Sequence, residues 1–459
     1  VSLYVAVDFG STFTKAIAVD SASGDLVARA EYRTTVDTDV MDGWFACREQ
    51  LLAVDRGVAG AEVLACSSAG GGLRIAVVGN EELVTAEAGR RVALSSGGRV
   101  VSVVSGGLTP TSFKALRADR PDVVLLLGGT DGGNSAVIEN AAAVLAKDHW
   151  RHPVVAAGNI IAQAEVGNLL AAAGVPHVLA DNVVPEIGVF APDSARAAIR
   201  EMFLAHVIGG KNLSRDPGFA QLVRAATPDV VLRGVEVLAA LHGDVAVVDI
   251  GGATTDVHSV IELDPEDANL GREVVATHPV TRTVEGDLGM RWSAVPVVAA
   301  GIEAGLVTES ADLGAAAQRR HDDPSYLPGS VVETSYDEML ATVAVTVALR
   351  RHAGRQRVVF GPSGRVVERS GKDLREVDLL VGSGGVLRHN GPEVAGRILG
   401  AVGFAQEEGW LVPTGARTCV DSDYVLAGAG LLADLDPVAA AGLARRVGSA
   451  IHGTVSRGH

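Results

Sequence analysis

The sequence predicts an α/β protein built from two related domains, the first enlarged by extra β-α units. Three observations carry this. Short apolar strands alternate with Ala-rich helical stretches through the first half of the chain, the pattern of a largely parallel sheet covered by helices. A strand ending on Asp, a glycine-rich turn and a returning β-branched strand occur twice, once near the N-terminus and once mid-chain. The 459 residues, 47% hydrophobic but only 4% aromatic, suffice for two or more cores made of Val, Leu, Ala and Ile.

In order along the chain, strands are expected at 3–8, 14–19, 26–33, 62–66, 74–78, 100–104, 122–127 and 153–157. Helices are expected at 81–94, 110–119, 134–147, 159–172 and 192–206. The first domain spans 1–205, with inserted β-α units over about 74–180. A helical or irregular link follows over 206–242, with the polar GGKNLSRDPG (209–218) as an exposed loop. The second domain spans 243–435, with loop and hairpin insertions at 319–330 and 360–373, and a helical tail covers 436–459.

The repeated motif is where chemistry is expected. After LYVAV the chain reads Asp8-Phe9-Gly10-Ser11-Thr12-Phe13-Thr14-Lys15, and after DVAVV it reads Asp249-Ile250-Gly251-Gly252-Ala253-Thr254-Thr255-Asp256. Each is a β-hairpin whose turn can receive phosphate. Glycine lets the backbone approach and point N–H groups at an anion, and the hydroxyls of Ser11, Thr12, Thr14, Thr254 and Thr255 add donors. Asp8 and Asp249 can each hold Mg2+ through water. A single copy is equally an ordinary tight hairpin; two copies in corresponding places argue for a polyphosphate clamped from both sides. A third buried strand runs into glycines at Gly382-Ser383-Gly384-Gly385, a backbone suited to a flat ring such as adenine.

The order of two phosphate hairpins and a glycine-rich adenosine loop resembles the actin, hexokinase and DnaK-type ATPase superfamily, which implies two ribonuclease-H-like domains around a nucleotide cleft. Glu285-Gly286-Asp287-Leu288-Gly289-Met290-Arg291 is similar to the turn that opens a helix after the second hairpin in the chaperones. The stretches CSSAGGGLRIAVVG (66–79), VVLLLGGTDGGN (123–134) and VEGDLGMR (284–291) resemble one branch in particular, the glutamate mutase L (MutL) family. Nearly the whole chain is covered.

The resemblance implies ATP and Mg2+ as cofactors. Asp8 and Asp249 would orient the metal and the attacking water, with Asp256 either at the metal's outer shell or a solvated strand residue. Gly10, Ser11, Thr12, Thr14, Gly251, Gly252, Thr254, Thr255 and Gly286 would cradle phosphates. Gly382, Ser383, Gly384 and Gly385 would line the adenosine site. Lys15 touches a phosphate or is only a hairpin-edge lysine. The general base is harder to place: Glu186, in Asn182-Val183-Val184-Pro185-Glu186, is the nearest analogue of the chaperones' Glu, though much farther from Asp249 in sequence, and is otherwise a helix N-terminal Glu. The resemblance further implies an ATPase that acts as chaperone or reactivating factor for an adenosylcobalamin-dependent mutase. A small-molecule kinase and a filament-forming ATPase of the same fold remain rivals, because fold does not fix function. The helix expected at 424–432 resembles the superfamily's last connecting helix.

Composition narrows the classes. A formal charge of −16 argues against nonspecific binding to nucleic acid or anionic membrane. The three cysteines, Cys47, Cys66 and Cys419, form no C-x-x-C, so neither a disulfide framework nor a zinc or iron–sulfur site is expected, as in a reducing cytoplasm. Asp8 and Lys15 interrupt any leader-like apolar run, and VVLLLGG is too short to span a bilayer. The loop Gly128–Asn134 could bind an anion or a partner, or only connect elements, and the His149-Trp150-Arg151-His152 cluster is expected to be a surface loop. Homo-oligomerisation is left open.

Overall fold

In the computed structural model, the described residues are 2–69, 72–208, 212–263, 278–361, 364–403, 409–449 and 451–455. The chain forms two compact units. One comprises Val1–Gly234, Glu273–His278 and Ala427–Gly442; the other comprises Val235–Arg272, Pro279–Leu426 and Leu443–His459.

The first unit opens with a meander. Strands β1 (Leu3–Phe9), β2 (Phe13–Asp20) and β3 (Leu26–Arg33) pair antiparallel, β4 (Glu62–Ser67) lies parallel to β1, and β10 (Val223–Ala226) lies parallel to β4. The order is β10-β4-β1-β2-β3. The period-two pattern puts Val5, Val7 and Phe9 on one face, buried with Ala16, Ala18 and the helix Val40–Val54 that covers them. That helix starts on Asp39, whose carboxylate accepts from the Met41 N–H.

A second sheet is inserted in the same unit. Strands β5 (Leu73–Val78), β6 (Gly98–Val104), β7 (Val123–Leu126), β8 (Val154–Ala156) and β9 (His177–Leu179) run parallel in the order β6-β5-β7-β8-β9. Both faces are buried: Ile75, Val77 and Leu125 join one core and Ala76, Val78 and Leu126 another. This is why these strands read as continuous apolar runs.

The second unit repeats the first sheet. Strands β11 (Val245–Ile250), β12 (Thr255–Val260) and β13 (Val280–Glu285) form the meander, and β16 (Leu379–Ser383) and β17 (Arg417–Val420) extend it in parallel. One antiparallel strand, β18 (Ile451–Thr454), is added at the edge. The order β13-β12-β11-β16-β17-β18 thus contains the order of the first sheet, strand for strand. The long helix Val331–His352 covers it, capped by Ser330 accepting from the Glu333 N–H. A separate hairpin of β14 (Arg355–Gly361) and β15 (Gly364–Ser370) stands where the insertion at 360–373 is expected.

Two segments differ from expectation. Within 206–242, Val223–Ala226 is a strand, not a link; four residues are too few to show alternation, and only the partner β4 defines them. Among the described residues, the C-terminal tail is helical over Pro437–Ser449 and then forms β18. Part of the expected loop 209–218 lies outside the described residues. The helices Thr227–His242 and Val425–Leu432 each follow the fifth strand of a sheet. A Cβ on Gly430 would stand 1.9 Å from the Val230 carbonyl oxygen, so backbone contact there demands glycine.

Candidate functional site: two matching glycine hairpins

The first hairpin turns between Phe9 and Phe13. The Gly10 N–H donates to the Phe13 carbonyl (3.2 Å), and a Cβ on Gly10 would stand 2.5 Å from that oxygen, so only glycine fits. Thr34 braces the turn from behind: its hydroxyl donates to the Gly10 carbonyl (2.9 Å) and its N–H to the Thr12 carbonyl (2.9 Å). The N–H groups of Ser11 and Thr12 have no protein acceptor among the described residues, and both side chains are exposed.

Pairing of Asp8 with Lys15 puts the two on one face of the sheet, beside Cys66 on β4. One Asp8 oxygen accepts from the Thr227 hydroxyl at 2.6 Å and lies 3.6 Å from the Cys66 sulfur. Burial raises the Asp8 carboxyl above its ordinary range, while Lys15, Thr227 and Cys66 pull it back. Burial, reinforced by Asp8, pushes the Cys66 thiol well up, which keeps it protonated.

The second hairpin follows the same plan. The Gly251 N–H donates to the Thr254 carbonyl at 2.8 Å. Here the brace is the turn after β13. Met290 N–H donates to the Gly251 carbonyl (3.0 Å), Arg291 N–H to that of Gly252 (2.7 Å), and the Ser293 hydroxyl to that of Ala253 (2.7 Å). A Cβ on Gly289 would stand 2.5 Å from the Ala253 carbonyl carbon, and the Trp292 ring lies against Gly252. Three successive carbonyls are therefore tied down. The N–H groups of Gly252, Ala253 and Thr254 have no protein acceptor among the described residues. Gly286 is exposed, and nothing within 4 Å would meet a side chain there.

Asp249 stands opposite Asp256 on β12 and beside Ser383 on β16. Gly384 follows at φ +106°, where a Cβ would stand 2.2 Å from the Ile250 carbonyl oxygen. Asp421, just after β17, caps the next helix by accepting from the N–H groups of Val425 (2.9 Å) and Leu426 (3.2 Å). Burial, with Asp249 nearby, pushes the Asp421 carboxyl up to about 6 against the pull of those N–H groups and Arg388.

The structure corrects several expected roles. Thr14 and Thr255 pair in register with Phe9 and Ile250, on the core face; both are fully buried, bonded to Thr34 (3.2 Å) and to the Leu288 carbonyl (2.8 Å). They shape the hairpins and cannot reach a ligand. Asp256 is not a solvated residue but is ion-paired to the buried Arg282 at 2.7 Å, which takes one of its oxygens away from a metal. Glu186 lies on an exposed turn after β9, at the inserted sheet and not on either hairpin. Gly382 and Gly384 make room for Leu387, Leu399 and Ile250, whereas Gly385 is open. The cluster His149–His152 lies between a helix and β8, with Arg117 and Arg120 beside it. No group of three or more metal-ligating side chains forms among the described residues; Mg2+ held through water and phosphate oxygens needs none.

Thr227 and Asp421 are absent from the sequence-based set, yet a signal existed. TPDVVLRG (227–234) and DSDYVLAG (421–428) match in pattern, so the internal repeat extends to the helix after each fifth strand.

Two sheets of the same strand order, each with a glycine hairpin ending its first strand, define a protein of the actin and hexokinase ATPase fold class. The MutL family model, described as MutL protein, matches residues 4–447. Protein MutL of Clostridium tetanomorphum is 35% identical over 444 residues, 94% of this chain and 96% of that protein. The chain belongs to the MutL family. Among solved structures, nucleotide-free acetone carboxylase shares 16% identity at a TM-score of 0.43, covering 94% of this chain and 70% of that one. The ROK hexokinase of Thermus thermophilus shares 11% at 0.28, covering 96% and 97%. These likenesses are remote, and the fold class rests on strand order. No helix among the described residues is long and apolar enough to cross a membrane.

Proposed function

We propose that this protein binds Mg-ATP through the Asp8 and Asp249 hairpins together and hydrolyses it to reactivate an adenosylcobalamin-dependent mutase of the glutamate mutase or aminomutase type. The observation that carries the nucleotide reading is the shared hydrogen-bond plan. In each hairpin the carbonyls are held from behind while consecutive N–H groups, Ser11–Thr12 and Gly252–Thr254, have no protein acceptor. In a chain of charge −16 such donors are what a polyphosphate needs.

The residues fit Mg2+ as well. Asp8 and Asp249 end equivalent strands, and burial that raises Asp8 is relieved by a cation. Mg2+, when bound, supplies neutralisation of phosphate charge. Asp8 and Asp249 would hold it through water. Thr227 fixes the Asp8 rotamer, Ser11, Thr12 and Thr254 add hydroxyl donors, and Lys15 adds positive charge on the Asp8 face. Gly385 and Gly286 are the open glycines, at the adenosine loop and at the second hairpin's brace. Glu186 remains a candidate for ordering water only if the inserted loops move. Family membership and the branch-specific stretches support the mutase as partner.

The test is phosphate release. Inorganic phosphate should form without any added metabolite. An inactivated mutase should recover only with this protein, ATP, Mg2+ and fresh adenosylcobalamin together. Recovery equally fast without ATP, or ATP consumption that yields a phosphate ester of a sugar or carboxylic acid, would move the assignment to a small-molecule kinase.

A further inference from the structure

The inserted sheet is doubly wound, with strand order β6-β5-β7-β8-β9 and both faces buried. In such sheets ligands bind outside the carboxyl ends of the strands, where the chain order reverses, here between β5 and β7. The loops at those ends are 79–82, 105–109, 127–135, 157–162 and 180–191. They contain Glu81, Glu82, Asp131, Asp181 and Glu186, and no Lys, Arg or His.

An anion does not suit this edge. Three N–H groups of the glycine loop are already taken, and every charged residue on these loops is acidic: Asp131 N–H donates to the Pro185 carbonyl (2.9 Å), Gly132 N–H to the Asn159 side chain (3.2 Å) and Gly133 N–H to the Thr130 carbonyl (2.9 Å). Asn182 donates to Asp131 (2.8 Å) and to the Gly129 carbonyl (3.1 Å), locking three loops into one surface. What this surface offers outward is apolar. Ile160, Ile161 and Ile187 are 54%, 71% and 79% exposed. All three sit on the locked loops: Ile160 N–H donates to Asp131 (3.0 Å), a Cβ on Gly132 would stand 3.9 Å from Ile161, and Ile187 lies two residues after Pro185, whose carbonyl accepts from the Asp131 N–H. Single exposed isoleucines are ordinary, but three on loops of one edge whose charged residues are all carboxylates mark an interaction surface.

We propose that this carboxyl edge docks a protein partner whose contact face is apolar at its centre and ringed by Lys and Arg. The carboxylates select the sign of the partner's rim, and the isoleucines supply the area desolvated on contact. On the functional reading above, on which the choice of partner rests, that protein is the cobalamin mutase.

The test titrates purified mutase into full-length protein at low and high salt, alongside two double variants, Ile161→Asp with Ile187→Asp, and Asp181→Lys with Glu82→Lys. All four positions are exposed, so the fold should persist, with ATP affinity as the control. The isoleucine variant should bind the mutase at least about tenfold more weakly. The charge-reversed variant should associate more slowly and lose the salt dependence of the wild type. Unchanged mutase binding by both variants would overturn the docking face while leaving the reactivation reading intact. A wild type that binds ATP but not the mutase would overturn the partner assignment and this proposal together.

Discussion

Gly384 and Gly385 are adjacent, yet a side chain means different things at each. At Gly384 a Cβ strikes the Ile250 backbone and the φ of +106° is strained for any other residue, so Gly384→Val tests folding and says nothing of adenine. At Gly385 a side chain meets nothing within 4 Å. Gly385→Val should therefore leave the melting temperature nearly unchanged and weaken ATP by about tenfold or more, as branched methyls displace a flat ring. Calorimetric titration of the folded variant reads this directly, and unchanged affinity would mean the adenosine loop is misassigned. Asp421 offers a different readout. Its folded pKa of about 6 lies above the ordinary carboxylate range, so the folded state holds its proton more tightly than the unfolded chain. Stability is then fullest below that range and falls as pH rises through 6, by roughly 3 kcal/mol. Asp421→Asn, which keeps an acceptor for the helix N-terminus, should raise the melting temperature relative to wild type at pH 8 but not at pH 4. An equal offset at both values would show that Asp421 carries no such burden.

At the scale of elements, the braces explain the family-like stretch 284–291. Its glycines and N–H groups hold the second hairpin's carbonyls, and Thr34 does the same for the first. Ser293→Ala removes hydroxyl bonds to the Ala253 and Gly286 carbonyls. It should cost about 1–2 kcal/mol of stability and weaken ATP beyond what the loss of stability alone produces. Denaturant melts paired with nucleotide titration separate the two effects; a stable variant with wild-type affinity would deny the brace its role. Much at this scale was legible in the sequence. Strands such as 26–33 are apparent from alternation, and the hairpins from Asp and Gly at strand ends. The faces of Thr14 and Thr255 were not, because the residue opposite Asp8 or Asp249 depends on a turn length fixed only by the Gly10–Phe13 and Gly251–Thr254 bonds. Thr227 and Asp421 were missed for a tertiary reason. Thr227 reaches Asp8 only because a fifth strand places it there, Asp421 likewise follows the fifth strand of its sheet, and β10, at four residues, carries too little pattern to be seen.

For the whole molecule, the repeat is the central fact. One strand order occurs twice, each copy ending its first strand on an aspartate and a glycine turn, and each following its fifth strand with a polar residue, Thr227 bonded to Asp8 and Asp421 near enough to Asp249 to feel its charge. Each copy leaves backbone donors over, and those donors are what the proposed nucleotide would use. Differential contact between ATP and ADP, which lacks the γ-phosphate, could then shift the protein between conformations and act on a partner. The most direct measurement is calorimetric titration of Mg-ATP into the wild type, Asp8→Asn and Asp249→Asn, each first shown to be folded. The account predicts one nucleotide per wild-type chain and a loss of about tenfold or more in affinity for each variant. No binding by the folded wild type, or loss in one variant with full affinity in the other, would contradict it.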